Sequence, residues 1–204
     1  RSLLLEQDIN ADMIDNVVLG CVMPSEVEAN IARLVALRLG CREQIGAYTV
    51  QRNCASGMQA IDSAVKDIQL GRSHLAIAGG CEAMSRAPLI YRPSAVRWFS
   101  AMAKARMPMD RLKQLVKIRP SFFSPIIALL KGLTDPVVGM TMPQTAEQLA
   151  YEFNISRDEM DSFALSSHQK AAAAEDSGAF AHRVEMIDGK GRCYPNDDGV
   201  RADS

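Results

Sequence analysis

Three short apolar runs separated by two stretches of helical periodicity constrain this chain more than any other feature. Asn16 to Met23 is apolar enough to be a strand. Ser25-Glu-Val-Glu28 then has the spacing of a capping box, and Ile31, Leu34 and Val35 recur at helical intervals before Gly40. Gly46-Ala-Tyr-Thr-Val-Gln-Arg52 alternates with a β-branched and aromatic bias, and Met58, Ile61, Val65 and Ile68 return to helical spacing, with Gly71 placed to end the helix. A third run, His74 to Ala78, closes on Gly79 and Gly80. Strand, helix, strand, helix, strand predicts an α/β layer with neighbouring parallel strands. The near-continuous apolar character of Val17 to Val22 and Leu75 to Ala78 fits strands covered on both faces.

The second strand-to-helix junction carries a cysteine. Asn53-Cys-Ala-Ser-Gly-Met58 puts Cys54 in the first helical turn, where free backbone N–H groups and the positive end of the helix dipole stabilise an anionic sulfur. Gly57, Ala60 and Ala64 leave room for close backbone packing. The competing reading is a buried, inert thiol at an element boundary, the usual fate of a free cysteine.

Taken with Ala78-Gly-Gly-Cys-Glu-Ala-Met-Ser85, this motif resembles the thiolase family. Met142-Pro-Gln-Thr-Ala-Glu-Gln-Leu-Ala150 and Ile155 to Ala171 resemble two later segments of the same family, in the same order. The resemblance runs from about Leu3 to Ser204. It implies a thiolase-like N-terminal domain, with layered helices and a mostly parallel mixed sheet, plus a basic Pro-rich loop domain. The chain would be incomplete at both ends, an expectation to which its start at Arg1 adds. The implied domains are a core at 1–85, a loop-domain excursion at 86–141, and a helical continuation with a return strand region at 142–204. The implied activity is transfer of an acyl group between acyl-CoA and coenzyme A through an acyl-Cys54 intermediate. Coenzyme A is then a substrate and no cofactor is needed. Only Cys54 carries over as catalytic, with its backbone N–H as an oxyanion donor. Met142 matches a position beside the thioester, although Thr141 and Pro143 depart from the family's commonest residues. The family's catalytic histidine and second cysteine belong to a C-terminal half that this sequence does not contain, so the 204-residue chain alone is expected not to complete a cycle. A ketoacyl synthase-type condensing enzyme is a related reading, and a non-catalytic binding or dimerisation module is another.

From Arg86 to Lys131 ten Lys or Arg residues face the single acid Asp110, which leaves +9 in a chain whose net charge is −1. Seven of the nine prolines lie between Pro88 and Pro143, so this is a punctuated, partly helical excursion. Its positive field suits polyphosphate, nucleic acid or an anionic membrane, or is a plain solvated face. The resemblance points to the phosphates of coenzyme A. No nucleic-acid motif accompanies the charge, so no nucleic-acid partner is expected. Val96-Arg-Trp-Phe99 and Pro120 to Gly132 supply bulk for an acyl or pantetheine tunnel or, more simply, for the lobe's own core.

Helical spacing resumes at Ala146, Leu149, Ala150 and Phe153. It continues after the capping box Ser156-Arg-Asp-Glu159 to Gly178. His168 near that apolar face reads as a hydrogen-bonded structural residue, and His74 and His182 have no partner evident in sequence. Five separated cysteines, Cys21, Cys41, Cys54, Cys81 and Cys193, lack the CxxC spacing of a zinc site and suit a reducing compartment, hence a cytoplasmic expectation. No metal site and no membrane span are expected. The resemblance adds a homodimer or homotetramer for the full-length form.

Overall fold

A computed structural model describes residues 1–180, 186–187, 191–194 and 197–201, the side chains of 186–187 and 193–194 excepted. The chain falls into two compact units, Asp8–Asp135, and Pro136–Ser204 together with Arg1–Gln7. The short helix α1, Ser2–Glu6, belongs to the second of these.

In Asp8–Asp135 the predicted alternation is present. Strands β1 (Asn16–Gly20), β2 (Gly46–Val50) and β3 (Ala76–Gly80) form one parallel sheet in the order β2-β1-β3, with helices α2 (Ile31–Leu39) and α3 (Ser56–Gln69) as crossovers. All five residues of β1 are buried, as its unbroken apolar character requires, and Val17 and Val18 are closed from solvent. β3 is half-buried, and β1 ends at Gly20 rather than running to Met23.

The entry to α2 differs from the capping box expected at Ser25. Ser25 and Glu28 close a turn, and the helix begins at Ile31 behind Asn30. The Asn30 side chain accepts from the Arg33 N–H at 3.2 Å and donates to the Ala47 carbonyl at 3.1 Å. One residue thus caps the helix and ties it to β2, a tertiary bond that local spacing does not reveal.

Helix α3 turns its small-residue face toward the sheet, in keeping with the room for close packing expected at Ala60 and Ala64. Ser56, Ala60 and Ala64 are buried, whereas Met58, Ile61, Val65 and Ile68 are exposed. Close approach of the strands explains the choice. A Cβ on Gly20 would lie 2.4 Å from the Ser56 carbonyl carbon and 2.7 Å from the Gly57 nitrogen, so only small side chains fit between sheet and helix. Gly40 and Gly71 end α2 and α3 at φ values of 84° and 69°, in the left-handed region expected of helix-terminating glycines.

The basic excursion holds a two-stranded antiparallel pair, β4 (Leu89–Ile90) with β5 (Ile126–Ile127), and helices α4 (Pro93–Lys104), α5 (Pro108–Leu115) and α6 (Ala128–Gly132). Proline opens both α4 and α5, where its missing N–H costs nothing. The Trp98 ring meets Phe99 edge to face with centroids 5.0 Å apart and lies tilted against Phe122 at 5.6 Å, and its indole N–H donates to the Gln114 carbonyl at 2.9 Å. These aromatic residues form a small core joining α4 to the segment after α5.

In the other unit, α7 (Met142–Glu152) begins behind Thr141, whose N–H donates to Gln144 Oε1 at 2.9 Å. α8 (Arg157–Asp176) begins at the expected capping box, where Ser156 N–H and Oγ both donate to Glu159 Oε2 at 2.8 Å. Short strands β6 (Met186–Ile187) and β7 (Cys193–Tyr194) pair antiparallel.

Candidate active site

Cys54 lies in the tight connection between β2 and α3. The helix starts at Ser56 with Ala55 as its N-cap, so the cysteine sits one residue outside the cap rather than in the first turn. It is exposed. Asn53, with φ of 48°, takes the left-handed conformation that asparagine tolerates better than most side chains, and this reverses the chain within one residue. Ser56 holds the turn shut. Its hydroxyl accepts from the Arg52 N–H at 2.8 Å and donates to the Asn53 carbonyl at 2.6 Å, while its own N–H donates to the same carbonyl at 3.0 Å. The Arg52 guanidinium reaches forward to Gln59 Oε1 at 2.9 Å, bracing the turn against the helix from outside. Cys54 is therefore displayed on a rigid strand-turn-helix joint.

The C-terminal ends of β1 and β3 support that joint. A Cβ on Gly80 would lie 3.1 Å from the Gly20 carbonyl oxygen and 3.5 Å from the Gly57 Cα, so Gly20, Gly57 and Gly80 form a contact without side chains beneath the first turn of α3. Just beyond, the Glu82 carboxylate accepts from the Val22 N–H at 2.7 Å and the Met23 N–H at 3.1 Å, locking the chain leaving β1 to the chain leaving β3. Ser56 and Glu82 are positioning residues to which the sequence assigned no role. Their signal, a hydroxyl two residues after the cysteine and a carboxylate two residues after the paired glycines, was visible, but their partners were not.

The other cysteines of Asp8–Asp135 are less suited to attack. Burial pushes the Cys21 and Cys41 thiols up. Cys81, exposed over much of its surface, is pushed up first by partial burial and then by the charges of Glu82 and Glu28. The side chain of Cys193 lies outside the described residues.

The histidines follow their sequence readings where they are described. His74, the only histidine of Asp8–Asp135, precedes β3, whereas Cys54 follows β2. The strands are parallel, so the two lie at opposite ends of a sheet about 16 Å long by strand rise. His74 is accordingly not a base for Cys54. His168 Nδ1 accepts from the Arg201 N–H at 3.1 Å, a structural hydrogen bond, and His182 lies outside the described residues. Met142 is the first residue of α7, half exposed, in the unit that does not contain Cys54. Pro143 falls in the first turn of that helix, where proline is accommodated. Among the described residues no group of three or more His, Cys, Asp or Glu side chains could hold a metal ion, and no helix is long and apolar enough to cross a membrane.

Such a joint can present a nucleophilic thiol to an electrophilic carbonyl, with helix N–H groups facing charge that develops there. Comparison with known proteins gives this joint a family. The family model described as "Thiolase, N-terminal domain" matches residues 1–204. The chain is 38% identical over 179 residues to beta-ketoadipyl-CoA thiolase of Pseudomonas putida, a match spanning 86% of this chain and 40% of that one. It is 34% identical to beta-ketothiolase BktB of Cupriavidus necator, over 100% of this chain and 48% of that one. Among solved structures, the Bacillus anthracis acetyl-CoA acetyltransferase superposes with a TM-score of 0.79 at 33% identity, covering 99% of this chain and 47% of that one. Human mitochondrial 3-ketoacyl-CoA thiolase in complex with CoA also superposes at 0.79, at 28% identity, over 100% and 47%. The chain thus spans less than half the length of these relatives, and along all of that span it is a member of the thiolase family, matched to its N-terminal domain.

Proposed function

We propose that this chain carries the acyl-accepting step of a thiolase-type acyltransferase, with Cys54 as the nucleophile and coenzyme A thioesters as substrates. The observation that carries the reading is the exposed Cys54 on the Ser56-latched joint, in a chain of this family. The sulfur attacks the thioester carbonyl, a new C–S bond forms, and the tetrahedral intermediate collapses with loss of the coenzyme A thiolate, which takes up a proton. The acyl group then passes to coenzyme A or to the carbon nucleophile of a second acyl-CoA. In this reading Cys54 N–H helps to hold the oxyanion, Met142 lies beside the thioester, and the basic excursion of 86–141 attracts the phosphates of coenzyme A. The assembly is a cytoplasmic homo-oligomer. The exposed face of Met58, Ile61, Val65 and Ile68 is then a surface for packing against further parts of such an assembly.

With His74 at the far end of the sheet, the Cys54 proton goes to solvent in the 204-residue chain, so one slow acylation is expected in place of turnover. Chromatography of coenzyme A released from acetyl-CoA tests this. The chain releases up to one equivalent and Cys54→Ala releases none above hydrolysis. Equal release by both would overturn the assignment.

A further inference from the structure

Cys21 and Cys81 take no part in the acyl transfer proposed above, yet the sheet sets them side by side. The parallel register pairs Gly20 with Gly80, and each cysteine is the next residue along its own chain segment. The ladder continues one bond further, for Cys81 N–H donates to the Gly20 carbonyl at 3.0 Å, while Cys21 N–H donates to the Val50 carbonyl at 3.2 Å on its other flank. Neighbouring strands lie about 4.8 Å apart, and residues in register on parallel strands send their side chains to the same face. Both cysteines accordingly line one hollow of about 330 Å³ at the ends of β1 and β3, with Met23, Pro24 and Ile31 in its wall. Cys21 is buried, its thiol donating to Glu82 Oε1 at 3.8 Å, and Cys81 is exposed.

A disulfide joins residues whose Cα atoms are about 4.4–6.8 Å apart, a range that includes the strand spacing, so the pair can close by side-chain rotation without moving either strand. The two thiols differ in access. An oxidant meets Cys81 from solvent, and Cys21 lies beneath as the thiol that resolves the product. We propose that Cys21 and Cys81 form a redox couple, which an oxidant of the peroxide class converts into an intramolecular disulfide clamping the ends of β1 and β3 together. The clamp sits one residue beyond the glycine contact that supports the Cys54 joint. The Cys81 sulfur, its proton lost to solvent, attacks one oxygen of the peroxide. The O–O bond breaks, a sulfenic acid forms, and the departing hydroxide takes a proton to become water. The Cys21 sulfur, its proton passing to Glu82, then attacks the Cys81 sulfur. The S–S bond forms, the S–O bond breaks, and the leaving hydroxide takes up that proton. Two thiols lose two electrons and two protons, and hydrogen peroxide is reduced to two waters. Burial, followed by the charge of Glu82, pushes both thiols up, so the reduced pair is stable until an oxidant is supplied.

Trypsin places the two cysteines in separate peptides, residues 2–33 and 73–86, neither of which contains another cysteine. The folded 204-residue chain is treated with hydrogen peroxide, the excess is removed with catalase, and remaining thiols are alkylated before digestion. Mass spectrometry should find the two peptides joined, two hydrogens lighter than their sum, and dithiothreitol should part them. Cys81→Ser abolishes the joined species, and Cys41→Ser leaves it. It also persists in Cys54→Ala, so failure of the acyl-transfer reading leaves this test intact. The bond closes a long loop, so the oxidised parent should melt roughly 5–10 °C above its reduced form. Dithiothreitol reverses that gain, and Cys81→Ser, a change at an exposed position, does not show it. Four results would each overturn the proposal: Cys81 linked chiefly to Cys54, to Cys193 or to a second chain; Cys81 recovered only as sulfinic acid; joined peptides at equal yield from chain unfolded in urea; or no joined species at all.

Discussion

Gly20→Ala is the substitution on which the architecture of the site bears hardest. The new Cβ would meet the Ser56 carbonyl carbon at 2.4 Å, its oxygen at 2.6 Å and the Gly57 nitrogen at 2.7 Å, all of them backbone atoms that no rotamer change can remove. Restoring ordinary contact means moving β1 and the first turn of α3 apart by about 1 Å. Overpacking of this kind costs about 1–3 kcal/mol, and a clash with backbone belongs at the upper end. For a chain of this size about 3 kcal/mol lowers the melting temperature by roughly 6–12 °C. The displaced turn is the one that holds Cys54, and a misplacement of about 1 Å at a reacting group slows chemistry by about 10²-fold. Gly57→Ala is the internal control. Its Cβ meets nothing within 4 Å, and alanine in a helix is favoured over glycine by about 0.5–1 kcal/mol, so that variant melts at or slightly above the parent temperature. Far-UV circular dichroism melts on the three proteins, with acylation rates alongside, decide the matter. A Gly20→Ala protein that melts within about 1 °C of the parent and is acylated at the parental rate would refute the close-packing argument.

Two further outcomes follow from named contacts. Ser56→Ala removes the hydroxyl that bonds Arg52 N–H and the Asn53 carbonyl, two hydrogen bonds worth about 1–3 kcal/mol together, and should lower the melting temperature while slowing Cys54 acylation; an unchanged acylation rate would show that the latch does not position the cysteine. Asp15 accepts from the His74 and Leu75 N–H groups, and those bonds hold its carboxyl below the ordinary carboxylate value, so its contribution is present above that value and is lost as pH falls through the lowered one. Melts from neutral to acid pH should therefore show the parent losing more than Asp15→Asn, and parallel curves would remove Asp15 from the account.

How far the sequence discloses this depends on where each bond partner lies. The parallel sheet is legible because β1 reads as an unbroken apolar run, and Gly40, Gly71 and Ser156 announce helix ends through bonds confined to a few residues. Asn30 is not legible as the start of α2, because its decisive partners include Ala47, and a nearby Ser-x-x-Glu spacing competes with it. Periodicity groups Met58, Ile61, Val65 and Ile68 on one face of α3 but cannot say which face meets the sheet; Gly20, Gly80 and the alanines settle that through space. Cys54 is legible from its type and its place between strand and helix. Ser56 and Glu82, whose work is to bind backbone groups across the joint and across 60 residues, emerge only when the chain is folded.

Mapping the acyl group tests the central claim most directly. The folded chain, incubated with acetyl-CoA and digested under acidic conditions that preserve thioesters, should carry acetyl on the peptide containing Cys54 and on none of those containing Cys21, Cys41, Cys81 or Cys193, and alkylation of Cys54 beforehand should abolish the adduct. Acetyl groups on any of those four cysteines at a rate equal to Cys54, or undiminished labelling of Cys54→Ala, would contradict the account.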